Sequence, residues 1–446
     1  MSARVAVIGA GPSGLAAARA LQENGLAYDV FERHRDVGGI WDMANPGTPM
    51  YDSAHFISSR TQSAFDDFPM PADYADYPSR QRILEYIRAF ADRYRLREHI
   101  TFGAAVERVA RADGVWEVTL RGGAPRRYDA VIAASGHQWD AVLPSYPGTF
   151  TGTALHSKDY HHASLFDGKR VLVVGAGNSG CDIVCDAGGR GTRAMLSVRR
   201  GYYVLPKHIF GQPTDAFFRS GPHIPPRIAQ PALTLLLRLL VGDLQRFGMP
   251  KPDHKVLETH PIVSSQLVHA LQHGDVTIKP DIAALEGDHA RFTDGTREPV
   301  DVLVYATGYR VSFPFLDAGG VRLGDGVSGL WLNAFARVHD GLFVIGLLET
   351  DGAAYPVASK QAELIARYLA AKDHDPAGVA WLDAARRDAR PDLHGGVRYM
   401  RTARHAIYVQ FDEYVHVLER LLKRLPRRAG AAAVSPAAST GATAGR

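Results

Sequence analysis

Two short stretches of this chain place glycines where a backbone must come close to a phosphate. They are Gly9-Ala10-Gly11-Pro12-Ser13-Gly14 and Gly175-Ala176-Gly177-Asn178-Ser179-Gly180. In such a Gly-x-Gly-x-x-Gly turn the first glycine makes the tight bend and the second lets the backbone approach a pyrophosphate. The third lets the following helix pack closely on the preceding strand. Free N–H groups at the helix start then face the negative charge. The triplet alone is a weak signal, but here each copy follows a β-branched run and opens a helical stretch, the context the mechanism requires.

The residues one strand further on separate the two turns by charge. Glu32 ends a strand-like run, near the spacing at which an acid takes ribose hydroxyls. The second copy carries Ser197-Val198-Arg199-Arg200 at the corresponding place and no acid. Arginines pair with a 2′-phosphate, which a carboxylate would repel. The second nucleotide is therefore expected to be NADPH rather than NADH, with Lys207 as a further candidate contact.

Other chemistry is thinner. No nucleophile stands with a base, and His156, His161 and His162 lack a carboxylate or thiolate at metal-ligand spacing, so no metal is expected. The only cysteines, Cys181 and Cys185, stand one helical turn apart, poor geometry for a disulfide. They are expected to be small buried packing residues.

The elements that must position these groups repeat. Residues 5–8, 15–22 and 28–31 read as strand, helix and strand, and residues 170–174, 181–186 and 194–198 repeat that order. Strands at 115–120 and 128–134 flank a Gly-Gly turn and lead to Ser135-Gly136-His137. Strands at 290–292 and 300–305 flank Asp294-Gly295 and lead to Thr307-Gly308-Tyr309. A strand at 342–345 and a helix at 360–370 would complete the first sheet. The expected fold is α/β, with two Rossmann-like dinucleotide-binding domains, three-layer parallel sheets and attached β-ribbons. The second domain is inserted in the first: 1–150 and 307–424 form one unit, 151–306 the other, and 425–446, rich in Ala, Arg, Ser and Gly, a disordered tail.

Composition agrees with this plan. The 446 residues are 46% hydrophobic and 22% charged, and 51 basic residues nearly balance 47 acidic ones, for a net charge of +4. Neither nucleic acid nor a membrane is expected as the main partner. A strand pattern that starts at Arg4 leaves no room for a signal peptide. The longest apolar run, 232–241, is broken by Arg238 and too short to span a bilayer; a buried helix is expected, with a membrane-surface helix as the lesser reading. A cytoplasmic setting follows; nothing in the sequence speaks to an oligomeric state.

Between the two glycine turns, the segment from Phe150 through Gly152 and His156 to Tyr160 resembles the Phe-x-Gly-x-x-x-His-x-x-x-Tyr signature of the flavin-containing monooxygenases. Phe31-Glu32-Arg33 with Val37-Gly38-Gly39-Ile40-Trp41 is similar to that family's flavin segment, and residues 177–183 to its NADPH loop. Ala306-Thr307-Gly308-Tyr309 resembles its return strand. The likeness runs from about Val5 to near Leu422. It implies FAD on the first unit, held by Gly9, Gly11, Pro12, Ser13, Gly14, Glu32, Arg33, Gly39, Ile40 and Trp41. It implies NADPH on the second, held by Gly175, Gly177, Asn178, Ser179, Gly180, Ser197, Arg199, Arg200 and Lys207, with Thr307, Gly308 and Tyr309 at the crossing. The implied activity moves one oxygen atom from O2, through a C4a-hydroperoxyflavin, to the nitrogen or sulfur of a small amine or sulfide. The cofactor supplies the hard chemistry.

At this point His156 and Tyr160 carry two readings, a link between nucleotide and flavin chemistry or structural pins at the domain junction. Tyr160 stands where Baeyer–Villiger enzymes carry tryptophan, so ketone oxidation is the lesser reading. Ile57 stands where many members have a flavin-side asparagine, and it cannot donate a hydrogen bond. Ser58, Ser59, Arg60 or Gln62 are the candidates to substitute for it. An uncoupled NADPH oxidase or flavin reductase, and a flavin-binding redox sensor, are the remaining alternatives.

Overall fold

In a computed structural model of the chain, residues 3–221, 224–323, 329–400 and 402–426 are described. The expected tail lies outside them except for Leu425 and Pro426, and Leu425 is buried in the core.

Arg4–Ile8 is buried after its first residue, as a strand covered on both faces must be. It lies within a seven-stranded sheet in the order Leu330–Trp331, Phe335–Ala336, Leu342–Val344, Ala130–Ala133, Arg4–Ile8, Ala27–Phe31 and Ile100–Thr101. The last five of these run parallel, and the two at the far edge turn back antiparallel. Alternation along Arg4–Ile8 builds the three layers. Val5 and Val7 face the helices Pro12–Glu23 and Ala354–His374, while Ala6 and Ile8 face a ribbon of Val106–Ala112, Val115–Leu120 and Arg126–Tyr128.

The second unit repeats the design. Its five parallel strands lie in the order Thr153–His156, Val302–Tyr305, Arg170–Val174, Arg193–Ser197 and Val276–Lys279. Val171 and Val173 face the helices Asn178–Arg190 and Ser265–His273, and Leu172 and Val174 face a second ribbon. The repeat extends to single hydrogen bonds. Gly9 N–H reaches the Phe31 carbonyl at 2.8 Å, and Gly175 N–H reaches that of Ser197 at 3.0 Å.

Three details depart from the sequence reading. The expected strand 128–134 breaks at Asp129, because Arg126–Tyr128 closes the ribbon and Ala130–Ala133 enters the central sheet. The corner is pinned by the Asp129 carboxylate, which accepts from Arg4 N–H at 2.8 Å. Asp301 does the same for Arg170 N–H at 2.8 Å, breaking the expected strand 300–305. Second, the chain crosses between units before residue 150. Asp140–Ala141 pairs antiparallel with Tyr309–Arg310, and Gly148–Phe150 already pairs with Ile282–Gly287 of the second ribbon. Third, the expected buried helix is buried on one stripe only. In Pro226–Leu240, Leu233 and Leu237 are buried, but Leu235 is 61% and Leu239 76% exposed. Leucines on both sides of the helix conceal which face packs, since both stripes read alike. Among the described residues no helix is long and apolar enough to cross a membrane.

Candidate active site

Each glycine turn forms a cradle of bare backbone. Gly9 has φ +104°, and a Cβ there would stand 2.7 Å from the Ala134 carbonyl oxygen; Gly175 has φ +102°, with Ala306 oxygen at 2.6 Å. A Cβ on Gly14 or Gly180 would overlap the carbonyl of the first glycine in its own turn. Neither helix that follows has an acid in its first turn, and Pro12 opens the first. Two helix N-termini with no acid in their first turn, reached by bare backbone, fit the pyrophosphates of FAD and NADPH.

Around the first cradle the structure gathers the other expected flavin residues. The buried Glu32 carboxylate accepts from Ala10 N–H at 2.6 Å and His34 N–H at 2.9 Å, tying the second strand to the turn. The single-turn helix Gly39–Trp41 lies against Gly11, such that a Cβ on Gly39 would be 3.0 Å from the Gly11 Cα. Asn45 Nδ2 and Thr48 Oγ1 hold the Gly39 and Ile40 carbonyls at 2.9 and 2.5 Å. Trp41 is buried against Phe56, whose ring also meets Tyr355 at 5.3 Å. Ser13 lies against Gly346, where any side chain would overlap its hydroxyl. Arg33 is exposed and donates to His34 Nε2 at 3.0 Å.

The second cradle differs where the charge reading needs it to. Glu32 N–H bonds the Thr101 carbonyl at 3.0 Å and Val198 N–H that of Lys279 at 2.8 Å, so Glu32 and Val198 are equivalent. An acid in one unit is thus an apolar residue in the other, followed by exposed Arg199 and half-buried Arg200. Arg200 reaches the Met400 sulfur at 3.8 Å. The other expected contacts are placed differently. The Ser197 hydroxyl is buried and donates to the Pro280 carbonyl at 2.8 Å. Lys207 lies over the Tyr77 ring at 5.2 Å, its charge felt by Asp182. Asn178 Oδ1 accepts from Val263 N–H at 3.0 Å, and its Nδ2 reaches the Pro261 carbonyl at 3.4 Å.

At the junction, Tyr160 is buried and donates to Asp186 Oδ2 at 2.8 Å. Ser53 Oγ reaches the same oxygen at 2.5 Å, and Tyr51 OH donates to Asp182 Oδ2 at 3.0 Å. Tyr160 therefore grips the helix Asn178–Arg190 together with a flavin-side segment. Burial pushes the Asp182 carboxyl up to about 6, with the Tyr51 hydrogen bond and Lys207 opposing. Asp182 and Asp186 were missed by sequence reasoning, although two acids four apart on a fingerprint helix share one face. On that helix Cys181 is buried and Cys185 is half-buried, and the two are not joined in a disulfide.

His156 ends its strand beside Tyr305 and packs edge-on against Tyr309, ring centres 5.2 Å apart. Its Nδ1 accepts from Lys158 N–H at 3.1 Å. Burial lowers its pKa and a hydrogen bond with the Gly308 backbone opposes, which leaves the ring neutral at pH 7. Thr307 Oγ1 donates to the Val142 carbonyl at 2.5 Å, so His156 and 307–309 meet where the two crossings pair. The other histidines disperse: His161 meets the Met50 carbonyl at 2.8 Å and His162 the Asp52 carboxylate at 2.6 Å. No group of three His, Cys, Asp or Glu able to hold a metal occurs among the described residues. Ile57 is 43% exposed. Of the four residues that could substitute for it, Ser58 accepts from Ser63, Ser59 N–H bonds Asp215 and Gln62 accepts from Arg219, while Arg60 Nε is buried with no partner.

A family model described as flavin-binding monooxygenase-like matches residues 2–426. The chain is 31% identical over 428 residues to dimethylaniline monooxygenase (N-oxide-forming) 2 of Macaca mulatta, covering 89% of this chain and 79% of that protein. It is 34% identical to flavin-containing monooxygenase 1 of Oryctolagus cuniculus, covering 81% of this chain and 73% of that protein. In three dimensions it is similar to cyclohexanone monooxygenase from Rhodococcus sp. Phi1 bound to NADP+, with a TM-score of 0.70 at 18% identity over 95% of this chain and 98% of that one.

Proposed function

Since the chain belongs to the flavin-binding monooxygenase-like family and is an FAD- and NADPH-dependent monooxygenase, we propose that it oxygenates the nitrogen of an amine or the sulfur of a sulfide in a small organic molecule. One observation carries the reading: two equivalent cradles in one chain, distinguished by Glu32 in the first and Val198-Arg199-Arg200 in the second. Bound FAD would accept hydride from NADPH and activate O2 for transfer. The chain's own residues do the rest. The glycine turns bind the pyrophosphates, and Arg199 with Arg200 holds the 2′-phosphate. Trp41, Phe56 and Tyr355 form an apolar wall that excludes water beside the flavin cradle. His156, neutral, and the residues 307–309 hold the crossing between units, and Tyr160 holds the NADPH helix. Relatives named as N-oxide-forming support a nitrogen acceptor. A cytoplasmic setting belongs to the same reading, supported by a pair of cysteines that form no disulfide with each other.

Ile57 supports a second outcome, in which part of the NADPH consumed appears as H2O2. The test is a mass balance in air with a tertiary amine and with a thioether. Oxygenated product close to one per NADPH is expected for at least one of them. H2O2 equal to NADPH with both compounds untouched would sink the oxygenation reading and leave an oxidase. A bound flavin that NADPH never bleaches would leave a redox sensor.

A further inference from the structure

We propose that the contact between His260 Nδ1 and Glu349 Oε2 is a positioning contact that sets the NADPH cradle in register with the flavin cradle. The pair joins the two units at 3.6 Å, and both side chains are largely buried, 12% and 22% exposed. On the NADPH side, His260 directly precedes the segment 261–263 that Asn178 holds by hydrogen bonds at 3.0 and 3.4 Å, and Asn178 opens the fingerprint helix. On the flavin side, Glu349 stands three residues after Gly346. Gly346 lies against Ser13 of the first cradle, and its N–H donates to Gln361 Oε1 at 3.1 Å. The path from Asn178 through 261–263, His260, Glu349 and Gly346 to Ser13 thus links one glycine turn to the other, and the His260–Glu349 contact is where it passes between the two units.

Its surroundings hold this link in place. Glu349–Thr350 pairs as a parallel strand with Tyr408–Val409. His260 N–H reaches His405 Nε2 at 3.4 Å, Met400 N–H bonds the Glu258 carbonyl at 3.0 Å, and the Tyr408 ring meets His260 edge-on at 5.8 Å. The half-buried His137, just beyond the central strand Ala130–Ala133, also feels the Glu349 charge. An exposed ion pair would contribute little. Here the pair fixes a distance, and hydride transfer loses about 10²-fold for a displacement of roughly 1 Å. The clamp of Tyr51 and Ser53 on Asp182 and Asp186 holds the same helix further along its length, so the two contacts together fix its orientation.

This inference rests on the proposed function, in that NADPH must reduce the bound flavin. The experiment is anaerobic stopped-flow reduction of the FAD-loaded protein, with amide hydrogen exchange of 262–264 measured on the same holoenzyme. Glu349→Ala is expected to lower the limiting reduction rate about tenfold or more, with the half-saturating NADPH concentration moving less than about threefold. Exchange at 262–264 should quicken, and reduction by dithionite, which bypasses the NADPH cradle, should keep its rate. Glu349→Gln keeps the shape and an acceptor oxygen and should restore the rate to within about threefold of the parent. His260→Ala combined with Glu349→Ala should be no slower than either alone. A limiting rate within about twofold of the parent in Glu349→Ala, or a change confined to half-saturation, overturns the inference while leaving the function intact. A parent protein whose flavin NADPH does not bleach overturns both.

Discussion

At the residue scale, the third glycine of each turn gives the cleanest separation of the two cofactors. A methyl on Gly14 would overlap the Gly9 carbonyl, which is the backbone of the cradle itself and has no rotamer to move. Gly14→Ala should therefore purify without FAD, as read from its visible spectrum. Gly180→Ala should keep its flavin yellow and fail to be bleached by NADPH at concentrations that reduce the parent. Loss of flavin from Gly180→Ala would mean the units do not bind independently. The charge difference has its own check: Arg199→Ala with Arg200→Ala should raise KM for NADPH at least about tenfold and leave that for NADH within about threefold, the loss of one or two charge-assisted contacts. An equal effect on both nucleotides would place the phosphate elsewhere, Lys207 included. The place of these glycines between strand and helix, and of Glu32 and the two arginines at the end of the next strand, was legible in the sequence because neighbouring residues set it. The contacts of Ser197, Lys207, Asp182 and Asp186 were not legible, because they are made with partners far along the chain: Pro280, Tyr77, Tyr51 and Tyr160.

At the scale of elements, hydrophobic period identified the core strands of both sheets but not where a strand changes sheets. The apolar run at 130–134 continues straight out of Tyr128, and only the hydrogen bond of Asp129 to Arg4 marks the corner. Likewise a stretch with leucines on both of its sides says nothing about which side packs. In Pro226–Leu240 the buried Leu233 and Leu237 touch a small cluster with Leu205 and Val256, while Leu235 and Leu239 stand in solvent on the opposite side. The two stripes should respond differently to substitution. Leu237→Ala is expected to cost about 2–5 kcal/mol in urea unfolding of the second unit. Leu239→Lys should stay within about 0.5 kcal/mol of the parent. A large loss from Leu239→Lys would show that this stripe is covered in solution.

At the scale of the molecule, the two units are held together by buried polar contacts, and these couple stability to pH. Burial pushes Asp182 up to about 6, against about 3.9 in an unfolded chain, with Tyr51 donating to it across the junction. Between those values the native protein keeps a proton that the unfolded chain has lost. The Asp182 contribution to stability is therefore fully present below about pH 4 and declines as pH rises to about 6, above which the loss is constant. Carboxylates held low by arginine, such as Asp36 beside Arg97 and Arg88, act in the opposite direction, so the melting temperature of the parent alone mixes the two. Asp182→Asn isolates the effect, because asparagine still accepts from the Tyr51 hydroxyl yet does not titrate. The melting temperature of Asp182→Asn minus that of the parent should rise between pH 4.5 and 6.5 and then level off. Removing the opposing charge with Lys207→Ala should move that rise to higher pH. A difference that is flat across the range would mean that Asp182 titrates as an ordinary surface acid, and that the clamp on the NADPH helix is open to water.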